Sequence, residues 1–250
     1  MKKTVAMLGL LSTITMADML GGEFNIGYYN HTPSGNLEYQ GDSIDLKDDF
    51  KWKKESDVFA RLYIEHPIPL LPNIRLGYSS FGHSGSGILN NDITFSNQTY
   101  TSSSNIDSKF DLDMYDITLY YEVLDSGLDL DLGLNVKYIN GSVSAVGIDA
   151  GTPPTILNES TSFNVPVPML YAKARVPFPT TNIAFQAEGN YVSYSGNQFY
   201  DFEAGVRYTF ALGLGLEGGY KTMKLKLDDV DDLNIDSTFS GAYAKLVWDF

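Results

Sequence analysis

Apolar and polar residues alternate through much of the chain, most clearly in its second half. From Leu128 to Tyr138 one parity holds Leu128, Leu130, Leu132, Leu134, Val136 and Tyr138, and the other holds Asp129, Asp131, Gly133, Asn135 and Lys137. Between Tyr200 and Phe210, Phe202, Ala204, Val206 and Tyr208 alternate with Asp201, Glu203 and Arg207. Between Asn182 and Tyr194, Ile183, Phe185, Ala187 and Tyr191 alternate with Gln186, Glu188 and Asn190. The last stretch, Phe239 to Phe250, sets Ala242, Ala244, Leu246, Trp248 and Phe250 against Tyr243, Lys245 and Asp249. A period of two puts successive side chains on opposite faces of an extended strand. Runs of about ten residues suit a tilted strand that crosses a bilayer.

Extended over the whole chain, this reading predicts ten strands, near 20–32, 55–66, 73–83, 110–123, 128–140, 163–176, 182–194, 199–211, 212–225 and 238–250. Eight and twelve are the alternatives. Short links at Pro67–Pro72, Leu124–Gly127, Pro177–Thr181 and Ala211–Gly213 alternate with longer polar stretches at about 84–109, 141–161 and 227–236. The fold class expected is all-β: a closed, antiparallel, up-and-down transmembrane barrel, because lipid tolerates no unpaired strand edge. An even strand number then puts both termini on one side, the periplasmic one. A soluble, lipocalin-like barrel also alternates, but it turns its apolar face inward.

Three irregularities are expected. Phe50 and Trp52 share the parity of Val58, Ala60, Leu62 and Ile64, so the second strand should start early and project beyond the membrane. The apolar parity switches between Phe110, Leu112, Met114 and Tyr115, Ile117, Leu119, as a β-bulge would make it do. Pro166 and Pro168 lack ladder donors and predict an irregular outer end for the sixth strand.

Composition narrows the class. At 250 residues the chain suits one barrel domain. Its 17 Tyr and 14 Phe against 2 Trp are rings suited to the boundary between membrane and water. No cysteine is present, which removes disulfides and thiol catalysis. A formal charge of −14 opposes nucleic-acid binding. Met1-Lys2-Lys3, the apolar run Thr4–Met16 and the small residue Ala17 have the plan of a secretory signal peptide. Residues 1–17 are therefore expected to be removed and 18–250 to form the barrel.

The alternating strand that runs to a terminal Phe resembles the closing strand of bacterial outer-membrane β-barrels. The resemblance implies that Leu246, Trp248 and Phe250 form the signal read by the barrel assembly machinery. The chain as a whole resembles small single-domain outer-membrane barrels of Gram-negative bacteria, in particular a functionally uncharacterised family, and more loosely the OmpW-like barrels. Lys245 departs from the pattern, standing where many such endings keep a glycine or apolar residue. The resemblance implies outer-membrane lipid and lipopolysaccharide as surroundings and carries over no catalytic residue.

Once the apolar parity faces outward, a long series of ionisable side chains faces inward. Arg61, Glu65, Arg75, Glu188, Asp201, Glu203 and Arg207 are the candidate lumen-lining residues. A lone buried charge is costly, so they must pair. They form either a network that fills the lumen or a thin polar path whose arginines, facing Glu188, Asp201 and Glu203, set solute preference. The function expected is a non-enzymatic integral barrel that passes small solutes. The alternative is a plugged structural or adhesive barrel acting through extracellular loops at 33–54 and 84–109. A rim hydrolase of omptin type, built on His31, His83, Ser84 or Asp48-Asp49, is the distant alternative. No cofactor or metal is expected. The acidic runs at Asp42, Asp45, Asp48, Asp49 and at Asp228, Asp229, Asp231, Asp232 have oxygen ligands for divalent cations but lack an EF-hand's glycine and bidentate Glu. The G-L-G-L-E-G-G run at 213–219 lies in an alternating strand with no following helix, so it is not a phosphate loop.

Overall fold

The computed structural model describes residues 21–149, 153–230 and 232–250, so the expected signal peptide lies outside the described residues. The chain forms β1 (Gly21–Tyr39), β2 (Ile44–Asp45), β3 (Glu55–Glu65), β4 (Asn73–Ile88), β5 (Ile93–Phe95), β6 (Gln98–Tyr100), β7 (Asn105–Asp125), β8 (Asp129–Ile148), β9 (Ile156–Pro177), β10 (Ile183–Tyr194), β11 (Asn197–Thr209), β12 (Leu214–Val230) and β13 (Leu233–Asp249). Ten of them, β1, β3, β4 and β7 through β13, pair in sequence order, and β13 returns to β1 to close the barrel. That last seam runs from Glu23↔Asp249 to Tyr39↔Leu233. The two ends of the described chain meet: Gly22 N–H donates to Phe250 O at 3.0 Å and Phe250 N–H to Gly22 O at 2.9 Å. We call this end, which carries the short turns, proximal and the opposite end distal.

The outer surface carries an apolar band. Ile26, Leu76, Ile117, Leu134, Leu170, Phe185, Val206, Leu216 and Leu246 are all exposed on it. Aromatic rings edge the band on both sides. On the distal side Tyr78, Tyr115 and Tyr138 stand in one cross-strand row. On the proximal side the pairs Tyr208–Phe210, Trp248–Phe250 and Phe178–Phe185 lie with centroids 5.0, 5.3 and 5.0 Å apart. A band of apolar side chains flanked by aromatic girdles is what lipid selects on a barrel.

Beyond the tyrosine row the chemistry of every long strand inverts. On β7 the inward residues change from Asp116 and Thr118 to Met114, Leu112 and Phe110, while the outward ones change from Ile117 and Tyr115 to Asp113, Asp111 and Lys109. On β8 the inward change is from Asn135 and Lys137 to Ile139 and Val143, and the outward one from Val136 and Tyr138 to Asn140 and Ser142. The distal half is thus a dry-cored barrel standing in water, and the proximal half a polar-cored barrel standing in lipid. The parity switch at Met114–Tyr115 is this boundary rather than a bulge. The β7·β8 register is continuous from Asp107↔Val146 to Glu122↔Asp131, and its one shift comes later, between Glu122 and Leu124.

The same inversion explains two other differences from the expected layout. Much of the polar sequence at 84–109, 141–161 and 227–236 is strand, carrying β4, β7, β8, β9, β12 and β13 well past the lipid band. Phe50 and Trp52 do not extend β3. They are buried together with Ile44, Leu46 and Phe95 in a lid over the distal mouth, whereas Val58 faces outward. Trp52 bridges to Gly85, where a Cβ would overlap the carbonyl oxygen of Phe50, so the lid seats only on a glycine. Pro166 and Pro168 leave the β8·β9 register unbroken, but β9 pairs with β10 only from Leu170 downward.

Leu134 lies mid-band and Ser144 lies on the same face of β8 beyond the tyrosine row. Leu134→Arg should destabilise the folded protein by about 2–4 kcal/mol in vesicles. Ser144→Arg should change it by roughly 0.5 kcal/mol or less. Denaturant unfolding of the refolded variants checks both.

Candidate functional site

The proximal lumen is filled by charge. Among the described residues, seven buried carboxylates (Glu23, Asp116, Asp131, Glu188, Asp201, Glu203, Glu217) face seven buried cations (Arg61, Arg75, Lys137, Lys173, Arg207, Lys221, Lys245). The buried charges therefore balance in number although the chain is strongly acidic. Each of these groups is placed by strand parity, and their pairing is set by which strands face one another across a narrow ring.

Arg61 on β3 reaches across the lumen to Glu203 on β11 in a bidentate pair, Nη1–Oε1 at 2.7 Å and Nη2–Oε2 at 2.8 Å, and its Nη1 also donates to Glu188 at 3.3 Å. Lys245 joins Glu203 to Glu217 at 3.0 Å each. Arg75 pairs with both Glu188 and Asp116. Lys137 then links Asp116 at 3.5 Å to Asp201 at 3.1 Å. Neutral donors add to the ion pairs: Tyr63 to Glu188 at 2.7 Å, Tyr243 to Glu217 at 2.6 Å, and Asn190 to Asp201 at 2.7 Å. Gly77 is part of the fit, since a Cβ there would overlap the Asp116 carboxylate.

Of the expected lumen residues, Arg61, Arg75, Glu188, Asp201 and Glu203 come together in this one network. Arg207 does not face Glu188, Asp201 or Glu203. It pairs at the proximal end with Glu23 at 3.1 Å and Asp249 at 3.2 Å. Glu65 accepts from Tyr120 at 3.1 Å beside the proximal mouth. A polar cavity of about 410 Å³ opens there, lined by Glu65, Glu122, Asp129, Asp131, Lys173 and Arg175 among others, and none of the Arg61–Glu203 pair borders it. Leu246, Trp248 and Phe250 face outward into the band. The glycines of the 213–219 run divide between faces, Gly215 and Gly219 inward and Gly218 outward.

Above the network, at the base of the distal core, lies a chain of polar groups. His83 Nδ1 faces the carbonyl of Lys53 at 2.9 Å, His83 Nε2 faces His31 Nδ1 at 3.0 Å, and His31 Nε2 faces Asp57 Oδ2 at 2.8 Å. The carbonyl can only accept, so His83 carries its proton on Nδ1 and its Nε2 accepts from His31 Nδ1–H. Both rings are buried, at 0 % and 2 % exposure. Phe81 stacks on His31 with centroids 4.0 Å apart, and Trp52 on His83 at 5.7 Å.

These imidazoles are sealed from solvent, while Ser84, the next residue after His83, faces outward. Asp48 and Asp49 do not approach His31. They belong to the lid, where Asp45 accepts from Lys47 N–H at 2.8 Å and Asp48 N–H at 2.7 Å, and Asp49 from Asp45 N–H at 2.9 Å. The acidic run at 42–49 thus caps backbone amides. In the other run, Asp232 accepts from Gln40 at 3.0 Å, and Asp231 lies outside the described residues. Among the described residues no group of three or more His, Asp or Glu is arranged to hold a metal ion.

Two outcomes follow from this geometry. Arg75→Met removes the cation that Glu188 and Asp116 share, leaves the lumen one buried negative charge in excess, and should cost about 3–5 kcal/mol, part of which Glu188→Gln recovers, as read by denaturant unfolding. The second concerns His83, which stands beyond the lipid band. Burial, and then the neighbouring His31, push its imidazole down to about 4. An unfolded histidine takes its proton near 6.5, so between the two values the folded chain holds fewer protons. The stability carried by neutral His83 is present above pH ~6.5, falls as pH drops, and is gone below about 4. Unfolding midpoints followed by fluorescence should fall across that window, and His83→Gln should flatten the slope.

No protein-family model and no curated protein matches the chain. Solved structures do. The outer-membrane protease OmpT from Escherichia coli aligns over 96% of this chain and 99% of its own, at 11% identity and a TM-score of 0.52. Ail, the attachment invasion locus protein of Yersinia pestis, aligns over 91% of this chain and 99% of its own, at 9% identity and a TM-score of 0.37. The toluene transporter TodX of Pseudomonas putida covers 92% and 89%, at 8% identity and 0.31. The last two overlap too loosely to inform the interior, and the first is alike in fold alone. Ring closure, a girdled apolar band and this likeness together give the chain the fold of a small, ten-stranded outer-membrane β-barrel.

Proposed function

We propose that the protein is an integral barrel of the bacterial outer membrane whose interior is sealed and whose work is done by its distal surface. In this reading both termini face the periplasm, the distal half stands outside the cell among lipopolysaccharide, and Leu246, Trp248 and Phe250 serve the assembly machinery. The carrying observation is the cross-lumen ion-pair network that joins Arg61, Arg75 and Lys245 to Glu203, Glu188, Asp116 and Glu217, roofed by the lid residues Phe50 and Trp52. A conducting path needs mobile, hydrated, incompletely paired groups along its length. Here Arg61, Arg75, Lys137 and Lys245 each bridge two carboxylates across the lumen, and the polar cavity of about 410 Å³ lies at the proximal mouth. The reading is non-enzymatic, supported by the burial of His31 and His83.

Single-channel recording in planar bilayers tests it. The refolded protein should be electrically silent, and so should Trp52→Ala, because the network beneath the lid remains. Steady wild-type openings whose selectivity shifts on Arg207→Ala would instead establish the narrow-pore reading.

A further inference from the structure

The distal barrel wall has a gap. β9 pairs with β8 without interruption from Arg175↔Asp129 to Ile156↔Ile148. On its other side it pairs with β10 only from Pro177↔Ala184 to Leu170↔Tyr191. β10 runs three residues further and turns back through Ser195 (φ 49°) and Gly196 (φ 86°) into β11. The next long strand round the ring, β12, continues beyond this hairpin beside β13 to Val230. A notch therefore opens between β9 and β12, with the β10–β11 tip as its floor. Among the described residues β9 has no second strand beside it from Ile156 to Met169.

The direction of the free backbone groups can be worked out from the prolines. Pro166 and Pro168 sit in a β8·β9 ladder that stays in register, so their missing donors point away from β8, into the notch. With a period of two, the N–H and C=O groups of Asn158, Ser160, Ser162 and Asn164 point the same way. Inside the notch the core is incompletely covered. Leu157, Val165 and Val167 on β9, Val192 on β10 and Leu227 on β12 are partly buried against the distal core, as is Tyr39.

We infer that this edge is a docking site for an extended peptide segment of a partner protein, which adds to β9 as an eleventh wall strand. The segment is uncharged and alternating: apolar residues on one face to cover Leu157, Val165 and Val167, small polar ones on the other beside Asn158, Ser160, Ser162 and Asn164. The outward positions of the edge and the Ser195–Gln198 tip carry no charge, and Glu159, the charged residue between Ile156 and Met169, already accepts from Ser96 at 3.1 Å. A lipid chain cannot serve the free amides. A second copy in the same membrane cannot either: barrel strands tilt about 35–45° from the normal, so two copies of β9 related by an axis along that normal cross at roughly 80°. A long strand edge with free donors, an apolar inner side and no lysine is the kind that takes up an added strand. The inference deepens the surface reading above, but its test is a binding measurement that can fail while bilayer recordings stay silent, and the reverse.

The probe is a fluorescein-labelled Thr-Val-Thr-Val-Thr-Val-Thr peptide, titrated into the purified full-length barrel in detergent and read by anisotropy. Saturable binding is expected. Ser160→Pro with Ser162→Pro copies the native Pro166 and Pro168 parity, removes two notch-facing donors, and should weaken binding about tenfold or more. A probe N-methylated at every residue, which has no donor on either edge and needs no protein variant, should fail to bind. In wild-type hydrogen exchange the unmodified probe should slow the amides of Asn158, Ser160, Ser162 and Asn164 and leave Glu159, Thr161 and Phe163 as they were. No saturable binding, equal binding by the N-methylated probe, or protection without this alternation would each overturn the inference.

Discussion

A closed ladder of backbone hydrogen bonds round the lipid-facing part of ten strands is the constraint on which the rest of this structure depends. In lipid it is obligatory, because an unpaired amide there costs several kcal/mol. Once closed, the ladder fixes which side chains look in and which look out along each strand. The sequence can then answer a change of surroundings only by changing residue type. At the row Tyr78–Tyr115–Tyr138 the surroundings change from lipid to water, and the residues on both faces change together. The hydrophobic effect thus acts on opposite faces of one strand at different heights.

That constraint also accounts for the interior. Behind the lipid band the inward positions are polar, and a ten-stranded ring is too narrow to hydrate them freely. Long side chains meet across it and neutralise one another, with glycines such as Gly77 giving room. Behind the distal wall the inward positions are apolar, and they pack with the lid into a core that includes Phe81, Phe110 and Phe239. The acidity of the chain accordingly resides in groups that are not fully buried, since the buried charges balance.

The membrane-crossing half of each strand was legible in the sequence because a run of that length, alternating under an uncharged apolar face, suits a strand set against lipid. The distal halves were not, for a physical reason. Ser, Asn and Asp at every second position look like loop until the intervening Val143, Ile139 or Phe163 are read as an inner core. A parity switch has two causes, an inserted residue or a change of solvent, and Met114–Tyr115 shows the second. Inward charges could be read from parity, but their partners could not. Arg61 and Glu203 meet across the lumen from strands 142 positions apart, and Arg207 finds Glu23 instead of the acids nearer in sequence. The histidine chain was hidden likewise, since His31 and His83 become neighbours only when β1, β3 and β4 are in register.

The inversion midway along the strands gives one fold two responses to temperature. Apolar groups moving from the distal core into water raise the heat capacity of unfolding, whereas exposing the lumen's charged groups lowers it. Within the interior, the part of the stability curve that bends with temperature is therefore concentrated in the distal half. Cooling weakens hydrophobic burial. Inside the barrel it acts on the lid and the distal core rather than on the charge-filled ring, so the interior loosens from the distal end first as the temperature falls.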